Sequence, residues 1–87
     1  MKRKKIIITG GATRIGAAIA KSLADYETAI AIHYNKSKGN ALKLKKELEN
    51  LGSEVYLLKA DLNNLKQTQA LLKLAYKKMK GLNCLIN

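Results

Sequence analysis

The chain has 87 residues, 47% hydrophobic, with no Trp or Phe and a formal net charge of +11 from 17 Lys and Arg against 6 Asp and Glu. That length allows one small domain with a thin core filled by Ile, Leu and Ala, which favours a small α/β unit over an aromatic-centred sandwich. The lone Cys84 excludes an internal disulfide; no apolar run approaches a membrane span; and the basic Met1–Lys5 start precedes too short an apolar run for a secretory leader, so the expected compartment is the cytoplasm.

Lys5–Thr9 is an Ile-rich run halted by two glycines and reads as a short buried strand. Ile15, Ala18, Ile19, Ser22 and Leu23 then recur at helical spacing and predict a helix reaching Tyr26. Ala29–Tyr34 is the second strand. Ser37–Leu51 is the second helix, with Ala41, Leu44, Leu48 and Leu51 on one face, lysines on the other, and Gly52 placed to stop it. Glu54–Ala60 is the third strand, and Asp61, Asn63 or Asn64 can cap the helix after it. That third helix carries the stripe Leu65, Thr68, Leu72, Ala75 and Met79 and ends at Gly81. Leu82–Ile86 begins a fourth strand, with Asn87 after it.

The order β-α-β-α-β-α-β predicts an α/β fold with a parallel sheet joined by right-handed crossovers. The expected strand order is 3-2-1-4. The first two helices should share one face of the sheet and the third should cover the other, because near-continuous apolar strands belong to sheets covered on both sides.

Thr9-Gly10-Gly11-Ala12-Thr13-Arg14-Ile15-Gly16 comes directly after the first strand and opens the first helix. Gly10 permits a tight turn, and Gly16 lets the helix approach the sheet or a ligand. A helix N-terminus offers free N–H groups and a positive dipole end to a pyrophosphate. Gly11 and Gly16 have the separation of a nucleoside-triphosphate loop, but Ala17-Ala18 stand where that loop requires Lys and Ser or Thr. The segment resembles the Thr-Gly-x-x-x-Gly-x-Gly loop of the short-chain dehydrogenase/reductase family, which implies a Rossmann-type fold. Arg14 replaces the family's middle glycine and resembles the pteridine reductase/dihydromonapterin reductase branch, where the arginine lies near the cofactor phosphates and the pterin. The resemblance spans essentially all 87 residues.

Dinucleotide folds read the adenosine ribose at the end of strand two, where an acid selects NAD and a base favours the 2′-phosphate of NADP. Here the run is His33-Tyr34-Asn35-Lys36-Ser37, with no acid before Glu47. Its charge and donors suit NADP(H), and the His-Tyr-x-basic-Ser pattern resembles the same branch. His33 reads as a packed strand-end residue rather than a catalyst or metal ligand. Ala60-Asp61-Leu62 resembles the family's adenine-binding segment, in which the aspartate bonds the adenine amino group; Asp61 could equally cap the next helix. The cofactor-binding set expected from the resemblance is Gly10, Thr13, Arg14, Ile15, Gly16, Tyr34, Asn35, Lys36, Ser37, Asp61, Leu62 and Asn87, with no metal site.

Asn87 matches the first residue of the family's Asn-Asn-Ala-Gly or Asn-Asn-Ala-Ser segment. The family's Ser and Tyr-x-x-x-Lys lie beyond it, so residues 1–87 are expected to form the dinucleotide-binding half, with the catalytic half absent and no activity in isolation. Tyr76 and Lys80 have the Tyr-x-x-x-Lys spacing but belong to the helix before strand four, the wrong element. A gene remnant, a truncated chain and a standalone nucleotide-binding module all remain open. In the complete family fold strand four is interior. Its edge here, and parts of Ile6–Ile8, Ile30–Ile32 and Leu82–Ile86, are expected to be exposed and to favour self-association. A basic nucleic-acid-binding module is the alternative reading. The lysines are scattered without zinc-ligand spacing or interleaved aromatics, which reads more readily as a solvated surface whose field attracts an anionic cofactor.

Overall fold

A computed structural model describes residues 3–87; Met1 and Lys2, the start of the basic leader-like stretch, lie outside the described residues. The elements run β1 (Lys4–Ile8), α1 (Arg14–Leu23), β2 (Thr28–Tyr34), α2 (Lys38–Asn50), β3 (Glu54–Lys59), α3 (Leu65–Met79) and β4 (Cys84–Ile86). The four strands form one sheet in the order β3-β2-β1-β4, and every neighbouring pair is parallel. Residues alternate between faces along a strand. Ile6, Ile8, Ile30, Ile32 and Val55 therefore pack under α1 and α2 with Ala20, Leu44 and Leu48. Ile7, Ala29, Ala31 and Leu58 pack under α3 with Leu71, Ala75 and Met79. The small Ala29 and Ala31 side chains bring α3 close to the sheet.

Side chains close the elements. At the end of α1, Asp25 Oδ1 accepts from Glu27 N at 2.8 Å, and Asp25 N donates to Thr28 Oγ1 at 3.1 Å. This turn ends the helix at Leu23, three residues before the expected Tyr26. Gly52, at φ +98, closes α2 as expected. At the end of α3 the left-handed position falls on Lys80 (φ 58), with Gly81 next to it. The fourth strand starts at Cys84 rather than Leu82, because Asn83 spends both its backbone N–H and its side-chain oxygen on Lys5, each at 2.8 Å. The side-chain oxygen thus takes the Lys5 N–H, and the strand pairing begins at Cys84 opposite Ile6.

Four sequence expectations about burial are corrected. Ile15 is 75% exposed, and of the expected stripe Ile19 and Leu23 pack against the core with Gly16, Ala17 and Ala20, whereas Ile15, Ala18 and Ser22 are exposed. Leu65 is 70% exposed, and α3 buries Leu71, Ala75 and Met79. Ile6–Ile8, Ile30 and Ile32 are buried, because three helices suffice to cover both faces of β1 and β2; among the strands, exposed apolar residues occur on β4 alone, at Cys84 and Leu85. Leu51 also lies outside the core, on the exposed turn after α2.

Candidate functional site

The C-terminal ends of the parallel strands converge on the Thr9–Gly16 turn. Gly10 adopts φ +63, which a Cβ would strain. Its N–H donates to His33 Nδ1 at 2.9 Å, and Gly11 N donates to the His33 carbonyl at 3.1 Å. Thr13 is the N-cap of α1. Its hydroxyl donates to Gly10 O at 2.6 Å and accepts from Gly16 N at 3.3 Å. The Arg14 and Ile15 amides open α1 and have no intrahelical acceptor. With the positive end of the helix dipole, such free amides suit an anion.

Two glycines let the backbone pack this tightly. A Cβ on Gly16 would stand 2.5 Å from Gly10 O and 2.7 Å from Gly11 Cα. A Cβ on Gly11 would stand 2.9 Å from Ile32 Cγ2. Gly11 was not among the expected site residues; the doubled glycine after β1 was the available signal.

Beside the turn, a concavity of about 130 Å3 is lined by Thr9, Gly10, Thr13, Ile15, Gly16 and Asn87, among others. Thr9 brings Asn87 there: its hydroxyl donates to Asn87 Oδ1 at 2.9 Å, and its N–H donates to Ile86 O at 2.8 Å. The exposure of Ile15 thus gives this concavity an apolar wall.

A second cleft, about 430 Å3, opens at the ends of β2 and β3 and is lined by Tyr34, Asn35, Lys36, Lys38 and Lys59. It holds three ammonium groups and no carboxylate. Lys38 and Lys59 escaped sequence reasoning because each looks like one surface lysine among many. Parallel pairing of Tyr34 with Lys59 is what joins them. Ser37 holds the N-cap position of α2 without a side-chain cap bond.

Arg14 lies apart from this cleft. It lines a groove of about 270 Å3 between α1 and α2, with Lys21, Asn40, Lys43 and Glu47 among its neighbours. Lys21 Nζ bonds Glu47 Oε2 at 2.6 Å. That bond holds the Glu47 carboxyl below its ordinary 4.5, with the Lys43 charge adding to the effect.

After β3, Asp61 Oδ1 accepts from Asn63 N at 3.0 Å. The N-cap of α3 is Asn64, whose Oδ1 accepts from Gln67 N at 3.1 Å. One bond leaves the Asp61 carboxylate with spare acceptor capacity. Leu62 is exposed beside it. His33 is buried, as expected for a packed strand-end residue, and its Nε2 lies 2.8 Å from Ala60 O.

Tyr76 and Lys80 line a concavity of about 540 Å3, with Arg3, Lys4 and Lys5. That is the N-terminal end of the strands, opposite the glycine turn. Among the described residues no group of His, Cys, Asp and Glu could hold a metal, and no helix is long and apolar enough to cross a membrane.

The family profile described as short chain dehydrogenase matches residues 4–87. An uncharacterized oxidoreductase of Methylorubrum extorquens is 30% identical over the whole chain, which covers 35% of that protein. Among solved structures, a dehydrogenase from Burkholderia cenocepacia with bound NADP superposes with a TM-score of 0.91 at 29% identity, over 99% of this chain and 34% of that one. The NADH-dependent reductase A1-R′ complexed with NAD superposes with a TM-score of 0.89 at 28% identity, over 99% of this chain and 36% of that one. The chain thus spans about a third of the length of the proteins it matches.

Proposed function

The chain belongs to the short-chain dehydrogenase family, and from that premise we propose that it forms the NADP(H)-binding portion of a pteridine reductase-like enzyme. One observation carries the cofactor choice: the cleft at the end of β2 gathers Lys36, Lys38 and Lys59 without a carboxylate. An NAD-selecting site needs an acidic acceptor for the 2′-hydroxyl there. A 2′-phosphate instead gains charge-assisted hydrogen bonds, each worth about 1–3 kcal/mol.

In this reading the amides of Arg14 and Ile15, on the turn built by Gly10, Thr13 and Gly16, receive the pyrophosphate. Tyr34, Asn35, Lys36 and Ser37 receive the adenosine ribose and its phosphate. Asp61 and Leu62 border the adenine, and Asn87 borders the concavity beside the turn. The bound cofactor would supply the hydride. Arg14 in place of the middle glycine, and His33-Tyr34-Asn35-Lys36-Ser37 at the end of β2, support the pteridine reductase-like branch. Residues 1–87 serve as the dinucleotide-binding half, and hydride transfer draws on groups outside them.

Calorimetric titration with NADPH, NADH and 2′,5′-ADP tests this. NADPH should bind about tenfold or more tightly than NADH, and Lys36→Asp should abolish the preference. Equal affinities, or a preference unchanged in Lys36→Asp, would refute the cofactor assignment. The chain alone should not oxidise NADPH in the presence of pterins or carbonyl compounds.

A further inference from the structure

His33 lies one residue before the end of β2, where the glycine turn and the end of β3 meet. Its side chain is buried, and both ring nitrogens are engaged. Nδ1 lies 2.9 Å from Gly10 N, and Nε2 lies 2.8 Å from Ala60 O. A backbone N–H only donates and a carbonyl only accepts. One ring state satisfies both: neutral imidazole, with the proton on Nε2 and a bare Nδ1. The same residue's carbonyl takes the Gly11 N–H. Both amides that open the turn are therefore held by residue 33.

Gly10 O in turn accepts from the Thr13 hydroxyl and the Thr13 N–H, at 2.6 and 3.0 Å. The Gly10–Gly11 peptide, which carries Gly10 O and the Gly11 N–H, is thus tied to the N-cap of α1 and so to the Arg14 and Ile15 amides; the imidazole holds the Thr9–Gly10 peptide on the other side of the same Gly10 Cα. On the other side, the Ala60 carbonyl immediately precedes Asp61. A single imidazole joins the turn to the segment that begins at Asp61.

We propose that His33 is a positioning residue. Its neutral ring, anchored by Ala60, fixes the Gly10 peptide and so aims the anion-binding amides of the turn. The proposal rests on the dinucleotide reading of that turn. A ring that served only to fill space would be replaceable by Phe. A positioning ring requires an acceptor at the Nδ1 place, which the side-chain oxygen of Asn supplies.

The test uses the 87-residue chain, isotopically labelled, as wild type, His33→Asn and His33→Phe. In the wild type, nitrogen shifts should report a bare Nδ1 and a protonated Nε2, and the Gly10 amide should be protected from exchange. Protection should be lost in His33→Phe and regained in His33→Asn. NADPH affinity should fall about tenfold or more in His33→Phe, because the part-buried Gly10 amide is left without its partner, and should recover most of the way in His33→Asn. A protonated Nδ1 in the wild type, or Gly10 protection and NADPH affinity unchanged in His33→Phe, would overturn the proposal. The wild-type shifts settle the ring state even if His33→Phe fails to fold. If the wild type does not bind NADPH while Gly10 protection still tracks residue 33, the dinucleotide reading fails and the hold of His33 on the turn stands.

Discussion

Gly16→Ala is the sharpest perturbation of the turn, because two effects of opposite sign meet there. Alanine is favoured over glycine inside a helix by up to about 1 kcal/mol, which alone would make the variant more stable. The new Cβ, however, would stand 2.5 Å from Gly10 O and 2.7 Å from Gly11 Cα, short of ordinary contact at 3.4 Å by 0.9 and 0.7 Å. Both neighbours are backbone. Neither can retreat freely, since Gly10 N and Gly11 N are bonded to His33 and a Cβ on Gly11 would already press on Ile32. Overpacking of this kind costs about 1–3 kcal/mol. The expected net result is destabilisation by about 1–2 kcal/mol, and each kcal/mol moves Tm by about 4–8 °C in a domain of this size. The forced displacement of the turn should also weaken NADPH binding. Gly39→Ala is the matched control: it lies in α2 with nothing within 4 Å of its added Cβ, and should stabilise by about 0.4–1 kcal/mol. Urea unfolding monitored by circular dichroism, with an NADPH titration, measures both variants. If Gly16→Ala proves as stable as Gly39→Ala and binds NADPH like the wild type, the close-packing argument is wrong.

The remaining predictions concern other parts of the molecule. β4 is paired only on its β1 side and exposes Leu85, so the chain should self-associate increasingly as salt screens its +11 charge. Light scattering across a salt series should show this, with Leu85→Lys reducing it, and a compact monomer at high salt would contradict it. The Lys21 bond holds the Glu47 carboxyl below 4.5, so this pair stabilises the fold above the unfolded-state value and is lost as pH falls through the folded one. Glu47→Gln should accordingly unfold more easily than wild type near neutral pH and converge with it in acid; a constant difference across that range would count against the ion pair. Tyr76→Phe should leave NADPH affinity unchanged, because Tyr76 lines the concavity at the opposite end of the strands; a clear loss in the titration would show that the site extends there.

Much of this chain was legible before any coordinates. Short continuous Ile-rich runs, period-three-to-four Leu stripes and glycines at the boundaries specify seven elements in a strict alternation. Such alternation leaves a parallel sheet as the economical way to bury both faces of each strand. Once the order is 3-2-1-4, crossover handedness divides the helices between the two faces. The glycine turn was legible as well, because φ +63 at Gly10 and the close approach at Gly16 are positions that only glycine serves well.

What the tertiary structure decided was phase and convergence. In α1, Ile15 and Ala18 fit a helical stripe as well as Gly16, Ala17 and Ala20 do. Only the docking of Gly16 onto the Gly10–Gly11 backbone sets the rotation, which leaves Ile15 outside beside Asn87. In α3, Leu65 and Leu71 are equally apolar, and contact with Ala29 and Ala31 selects Leu71. Lys59 and Lys36 are 23 positions apart and become neighbours only through the register of β2 against β3. His33 looked like packing because its partners are backbone atoms of Gly10 and Ala60. A backbone partner leaves no trace in residue type, so only the folded geometry reveals it.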